Sequence, residues 1–428
     1  MAVKAVVPFL VAMMLFTGVC NTLLTKYQDL QCVHNCFDLN PSKRHYFEQP
    51  VVQTAQMFIG EMGCWLVIFA FSLYKRYQSS RSGGASKDSY FSSRGPTEDD
   101  GDDTLSEDPL ATSLTLPAGD ERAELGGWKV TYLALPAVCD ICGTTLMNVG
   151  LLFVAASIYQ MTRGALVLFV GLFSVWFLKR RLGLYKWFAL FVVVTGVAVV
   201  GLAGALAEVH QPDRPPTSHT LSISHLRAQL VGDVQVTEVD VAVQTILGVT
   251  LIALAQIFTA TQFVLEESIM EKYAIEPLKA VGWEGLWGFI VTVIGMVIMH
   301  FAYGRTPAGK GGYFDAGEGL WQITHFPKIA YSSVLIMISI GGFNFFGLSV
   351  TRTVSATSRS TIDTCRTLFI WIVSLGLGWE SFKWLQVAGF ALLVYGTFLF
   401  NDLVKPPMKA CLDGGVEEED DELLPERA

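Results

Sequence analysis

Ten stretches of roughly 20 apolar residues, each bounded by charged or turn-forming residues, set what this chain can become. They lie near 5–25, 51–74, 130–152, 156–178, 184–204, 243–267, 281–301, 329–350, 359–378 and 383–402. At about 1.5 Å per residue, each is long enough for a helix to cross the hydrocarbon core of a bilayer. Backbone groups in lipid must be satisfied within the segment, so a continuous run of this kind is expected to be helical. Composition agrees, since 51% of the 428 residues are hydrophobic and 16% charged, unlike a water-soluble domain. The first run continues to Leu24 without a convincing small-residue cleavage site and is read as a retained helix, not a signal peptide. The expected fold class is an all-α integral membrane protein with ten transmembrane helices.

Charge placement supplies orientation and domain limits. With the N-terminus inside, the cytoplasmic loops and ends hold 19 Lys and Arg against nine on the other side, with Arg163 and Arg366 inside helices. Both termini are therefore expected to be cytoplasmic. The division that follows is 1–77 for helices one and two, 78–127 for a disordered acidic cytoplasmic linker, 128–205 for helices three to five, 206–242 for a lumenal loop, 243–403 for helices six to ten, and 404–428 for an acidic cytoplasmic tail. A Gly-rich stretch at 303–319 is read as a second long lumenal loop. The net charge of −9 comes from acids in the linker and tail, and no Lys/Arg cluster is long or amphipathic enough to hold nucleic acid, which is excluded as a partner. Cys32 and Cys36 flank His34 in the first lumenal loop; an oxidising compartment favours a disulfide there, and a metal reading needs more ligands than the loop offers.

Sliding the chain on itself by 200 positions aligns Val154 with Val354, Ala156 with Ala356, Ser174 with Ser374 and Gly196 with Gly396, without a gap. One register serves helices four and five against nine and ten. A weaker match at 242 pairs Phe16-Thr17 with Phe258-Thr259. Five helices per half is odd, so the second half enters from the opposite side: two inverted five-helix repeats, a construction many secondary transporters share. The run Tyr159-Gln160-Met161-Thr162-Arg163-Gly164-Ala165, followed by Gly171-Leu172-Phe173-Ser174, resembles the fourth-helix signature of the drug/metabolite transporter superfamily. Asp363-Thr364-Cys365-Arg366-Thr367 resembles its ninth helix, and Pro277-Leu278-Lys279-Ala280-Val281-Gly282 adds to the likeness. Within that superfamily the chain is similar to subfamily F of solute carrier family 35, with chloroquine-resistance-type transporters the next relatives. The resemblance implies a ten-helix bundle alternating between two open states, and it leaves the substrate undefined.

An ionisable side chain inside a membrane helix costs about 2.5–3.5 kcal/mol on insertion scales, so each one calls for a reason. Glu61 and Asp140 lie about ten residues into their runs, roughly 15 Å deep. They read as cavity carboxylates for a cationic or polar substrate or a proton, against the alternative of a hydrogen-bonded carboxyl between helices. Gln160 shares a helix face with Arg163. In the ninth helix Arg359, Asp363 and Arg366 form a polar stripe; the arginines suit a carboxylate or phosphate, against snorkelling or an Asp363–Arg366 pair that only joins helices. Arg359 is placed nearer the interface. Asn344 adds an uncharged group that helix-helix hydrogen bonding explains equally well. The expected substrate-binding set is Glu61, Asp140, Gln160, Arg163, Asn344, Asp363 and Arg366. Glu266, Glu267 and Glu284 are read as solvated or loop-pairing near the cytoplasmic interface.

No His-Glu-x-x-His motif, phosphate-cradling loop or Ser/His/Asp arrangement is identifiable, so no enzyme, cofactor or metal is expected. In the tail, Glu419-Asp420-Asp421-Glu422-Leu423-Leu424 resembles an acidic dileucine sorting signal, with Glu419, Leu423 and Leu424 as its key positions. It points to the lysosomal or endosomal membrane, with Golgi, plasma and mitochondrial membranes as alternatives. The expected partners are a small-molecule solute, membrane lipid, a clathrin adaptor at the tail and a second copy in a homodimer. The competing function is a scaffold or regulator that works through protein partners.

Overall fold

The computed structural model describes residues 2–36, 44–47, 49–82, 122–151, 163–209, 238–306, 309, 311–312, 314–378 and 382–404. Most of the linker, the stretch carrying Gln160, much of the loop at 206–242 and nearly all of the tail with Glu419, Leu423 and Leu424 lie outside the described residues.

Helix α1 (Ala2–Asp29) opens the chain and is followed by a short antiparallel hairpin, β1 (Cys32–His34) with β2 (His45–Tyr46). A disulfide joins Cys32 to Cys36 within that segment. Helices α2 (Pro50–Met62) and α3 (Cys64–Ser82) form one apolar passage hinged at Gly63. A strand, β3 (Ala123–Glu124), and a 3-10 turn (Gly127–Leu133) lead into α4 (Ala134–Leu151). Then come α5 (Leu166–Phe177), α6 (Leu184–Val209), α7 (Glu238–Lys272), β4 (Tyr273–Ala274) and α8 (Pro277–Met299). The chain closes with α9 (Ala316–His325), α10 (Pro327–Thr353), α11 (Ala356–Gly376) and α12 (Trp384–Phe400).

Local chemistry sets several starts. Pro50, Pro277 and Pro327 stand at the first helical position, where the missing N–H costs nothing. Ser355 caps α11 by accepting from the Ser358 N–H at 3.0 Å, and Asp315 caps α9 by accepting from the Glu318 N–H at 3.3 Å. Inside the helices, hydroxyls of Thr17, Thr144, Ser349 and Thr361 donate to carbonyls one turn back, which satisfies them away from water.

Among the described residues, six helical stretches are long and apolar enough to cross a bilayer: Val6–Asp29, Pro50–Tyr74, Gly127–Met147, Ile246–Lys272, Pro277–Gly304 and Pro327–Thr353. Leu166–Phe177, Leu184–Val200 and Trp384–Phe400 are shorter apolar helices. Large apolar side chains such as Leu66, Phe69, Trp176, Tyr331 and Ile338 stay exposed on the outside of the bundle, the distribution expected of a surface solvated by lipid tails. The interior is packed by Leu10, Met14, Val281, Phe343, Phe346 and Leu348.

Two expectations about local structure are corrected. The 303–319 stretch is not an irregular loop throughout, because a π-helical turn (His300–Gly304) extends α8 and the Asp315 cap starts α9 inside it. Nor does the fourth run form one unbroken helix: a turn at Gly164-Ala165 separates Arg163 from α5. Gly164 packs so tightly on α6 that an added Cβ would lie 2.3 Å from Val197 Cγ1, so the break sits where the two helices need a residue without a side chain.

The extended neighbours are α6 with α12, α4 with α7, α1 with α10, α2 with both α8 and α10, α4 with α8, α5 with both α7 and α11, and α1 with α11.

Candidate functional site

Six helices converge on one enclosed cavity. Glu61 and Phe58 come from α2, Ala137 and Asp140 from α4, Gln262 and Glu266 from α7, Glu284 from α8, Asn344 and Leu348 from α10, and Arg359 from α11. The free space is closed down to about the size of one water molecule.

Each polar wall residue is held by its neighbours. Asn344 Nδ2 donates to Glu61 Oε1 at 2.5 Å, which joins α10 to α2. Gly285 on α8 makes room for Glu61, since a Cβ there would come within 2.6 Å of the Glu61 Cβ. Arg359 Nη1 donates to Glu266 Oε2, and Gln262 Nε2 donates to Glu266 Oε1 at 3.0 Å, so Glu266 is fully engaged. The guanidinium carbon lies 4.1 Å from the centre of the Phe263 ring, a cation–π contact. Gly347 leaves room for this guanidinium, since a Cβ there would approach Arg359 Nε to 2.9 Å and push it aside. Glu284 is 8% exposed, and its Oε1 is buried with no hydrogen-bond partner.

Four carboxyl groups, Glu61, Asp140, Glu266 and Glu284, therefore face a cavity whose lining holds one guanidinium, that of Arg359. Taking two charges out of water is costly unless they are paired and hydrogen-bonded, and the Arg359–Glu266 pair meets that condition. The other three carboxyls form no ion pair among the described residues.

Of the expected set, Glu61, Asp140 and Asn344 meet in this cavity. Gln160 lies outside the described residues. Arg163 is half-buried at the helix end before Gly164 and is not in the lining. Asp363 and Arg366 bind each other, Arg366 Nε to Asp363 Oδ1 at 3.3 Å, and the Arg366 guanidinium lies 4.8 Å from the centre of the Phe343 ring. Neither residue lines the cavity.

The interface placement of Glu266, Glu284 and Arg359 is corrected. They are 2%, 8% and 2% exposed: Glu266 and Arg359 pair with each other between α7 and α11, and Glu284 faces the same cavity from α8. Glu267 is also buried, at 2% exposure: it accepts from the Ala356 N–H at 3.1 Å and lies 2.6 Å from Arg180 Nη2. A regular spacing of Gln262 and Glu266, one helical turn apart, was the signal available in the sequence.

A family model described as nucleotide-sugar transporter matches residues 125–269, which include Asp140 and Glu266. The chain is 35% identical over 92% of its length, and 97% of the relative's, to an uncharacterized protein of Schizosaccharomyces pombe. It is 36% identical to solute carrier family 35 member F6 of Homo sapiens, over 93% of this chain and 89% of that one. A shorter likeness, 39% identity over 18% of this chain and 20% of the relative, links it to a UDP-galactose transporter of Schizosaccharomyces pombe. On identity sustained over more than nine-tenths of its length, the chain is a multi-pass membrane protein that belongs to subfamily F of solute carrier family 35, in the drug/metabolite transporter superfamily.

Proposed function

We propose that this protein is a secondary active transporter that moves a small polar or organic-ion metabolite by alternating access, with ten transmembrane helices in two inverted five-helix repeats. The observation that carries this reading is the two-fold pattern of helix contacts around the polar cavity. If each helix is exchanged for its counterpart in the other half, α1 with α10 becomes α7 with α4, α2 with α10 becomes α8 with α4, and α1 with α11 becomes α7 with α5. The pairs α2 with α8, α5 with α11 and α6 with α12 map onto themselves.

The 200-residue register supports the same symmetry at atomic detail. A Cβ on Gly196 would lie 2.6 Å from Leu393 N and 2.8 Å from Gly389 O. One on Gly396 would lie 2.9 Å from Val193 N and 3.1 Å from Ala189 O, the positions 200 residues earlier. Aligned Ser174 and Ser374 are both fully buried.

Both ends of the bundle are closed around the cavity. At one, Arg180 lies 2.6 Å from both Glu267 and Glu271, Arg122 Nη1 donates to Met270 O at 2.6 Å, and β3 pairs with β4. At the other, His34 Nε2 lies 2.9 Å from Glu318 Oε1 and Gln28 Nε2 donates to Ser333 Oγ at 2.9 Å. A water-sized cavity cannot hold a metabolite, so transport requires one end to open while the other stays closed. The first end carries Arg122, Arg180 and Lys272, residues assigned to the cytoplasm by the positive-inside count, and this supports cytoplasmic termini.

The membrane is endosomal or lysosomal in this proposal, on the dileucine-like tail, and the buried carboxyls make proton coupling the simplest energy source. The test is uptake of a radiolabelled metabolite panel into proteoliposomes with and without an inside-acid pH gradient. Saturable uptake that the gradient alters supports the carrier and its coupling. Uptake of a transported solute that ignores the gradient removes proton coupling, and protein that never exposes its cavity to either side removes the carrier.

A further inference from the structure

The charge balance of the cavity bears on what it carries. Glu266 is neutralised by Arg359 and further held by Gln262. Glu61 has only an uncharged amide partner, Asn344. Asp140 has no ion pair, and Glu284 presents a buried oxygen with no hydrogen-bond partner into the space between them. A buried acceptor left unpaired forgoes the hydrogen bond that would offset its lost hydration, at a cost of about 1–3 kcal/mol and more for a charged group. An occupant that donates to it recovers that energy.

An anionic diphosphate is a poor match for this lining. It would face three carboxyls that form no ion pair among the described residues, while the one guanidinium in the lining already spends its Nη1 on Glu266. The other buried arginine of α11, Arg366, pairs with Asp363 and lies outside the lining. A bare metal ion is no better served, since no group of three or more His, Cys, Asp or Glu side chains could hold one among the described residues. Besides the amides of Gln262 and Asn344, which bond to Glu266 and Glu61, the rest of the wall is apolar, made by Phe58, Ala137 and Leu348, and offers a surface for carbon.

We propose that this cavity is a cation site in which Glu284, with Asp140 and Glu61 facing it, holds the ammonium head of a small organic cation. This rests on the carrier reading, because a ligand can enter only if one end of the bundle opens. Glu284 is the new element: it supplies the acceptor, Phe58 and Leu348 receive the carbon frame, and the Arg359–Glu266 pair keeps one carboxylate out of competition.

The test measures local charge without needing the natural substrate. Cysteine is placed in the wall of the full-length protein in proteoliposomes by Leu348→Cys and, separately, by Ala137→Cys. Its modification by a trimethylammonium methanethiosulfonate and by a sulfonate methanethiosulfonate is followed by mass spectrometry of the peptide that bears it. Each rate is divided by that reagent's rate with a small free thiol. The expected result is a normalised preference for the cationic reagent of at least about tenfold, as a carboxylate-lined cleft concentrates cations, falling toward one when Glu284→Gln is added. A ratio near one or favouring the sulfonate overturns the cation site while leaving a carrier that opens. A preference unchanged by Glu284→Gln removes Glu284 from it. If neither cysteine reacts from either side, the cavity never opens, and the carrier reading falls together with the cation site.

Discussion

Two buried arginine–carboxylate pairs sit two turns apart on α11, and they do different things. Arg366 binds Asp363 on its own helix and stacks on Phe343, so the charges cancel locally, and neither residue lines the cavity. Arg359 reaches across to Glu266 on α7, and around it three further carboxyls open onto a cavity. Burial of charge is common to both. What separates a candidate site from a structural pair is the excess of one sign next to space a ligand can use.

Removing cations should break this comparison most sharply. Arg359→Ala leaves Glu266 buried without its partner and is expected to cost about 3–5 kcal/mol, read as a lowered thermal unfolding midpoint in detergent. Replacing the pair together, Arg359→Met with Glu266→Leu, should recover most of that stability without recovering transport. Next in size, Asp140→Asn should lower uptake of any transported solute at least about tenfold, the worth of one charge-assisted hydrogen bond, with the unfolding midpoint little changed. The paired change Asp363→Asn with Arg366→Gln should leave uptake within about twofold of wild type, because neither side chain touches the cavity.

The ends of the bundle sharpen the contrast more gently. Arg180→Ala removes a cation held by Glu267 and Glu271 and should cost about 1 kcal/mol, seen as faster modification of a cavity cysteine from that side. His34→Ala at the opposite end removes an exposed pair with Glu318 and should cost about 0.5 kcal/mol or less, measured by thermal unfolding.

Much of this was legible in the residues. Spans of the right length gave the helices, and depth within a span singled out Glu61 and Asp140 without any knowledge of what faces them. The motif at Asp363 to Thr367 and the run around Arg163 carried the family likeness that identity over the whole chain then established. Glu266, Glu284 and Arg359 were not legible as site residues. Each stands within a few residues of the end of its apolar run, where a charge reads as facing solvent or headgroups. The burial of Glu266 and Arg359 depends on a contact between them across 93 positions of sequence, which no local pattern reports. Asp363 and Arg366 show the reverse: at a spacing of three on one helix their mutual pairing could be read directly, and it was the plainer of two readings.

The most direct test of the central claim compares two variants in proteoliposomes loaded against the same panel of radiolabelled solutes. One carries Asp140→Asn in the cavity, and the other carries Asp363→Asn with Arg366→Gln beside it. A solute whose saturable uptake is abolished by the first and retained by the second is the result expected of a carrier built around this cavity. Equal uptake by both variants, or loss confined to the second, would contradict it.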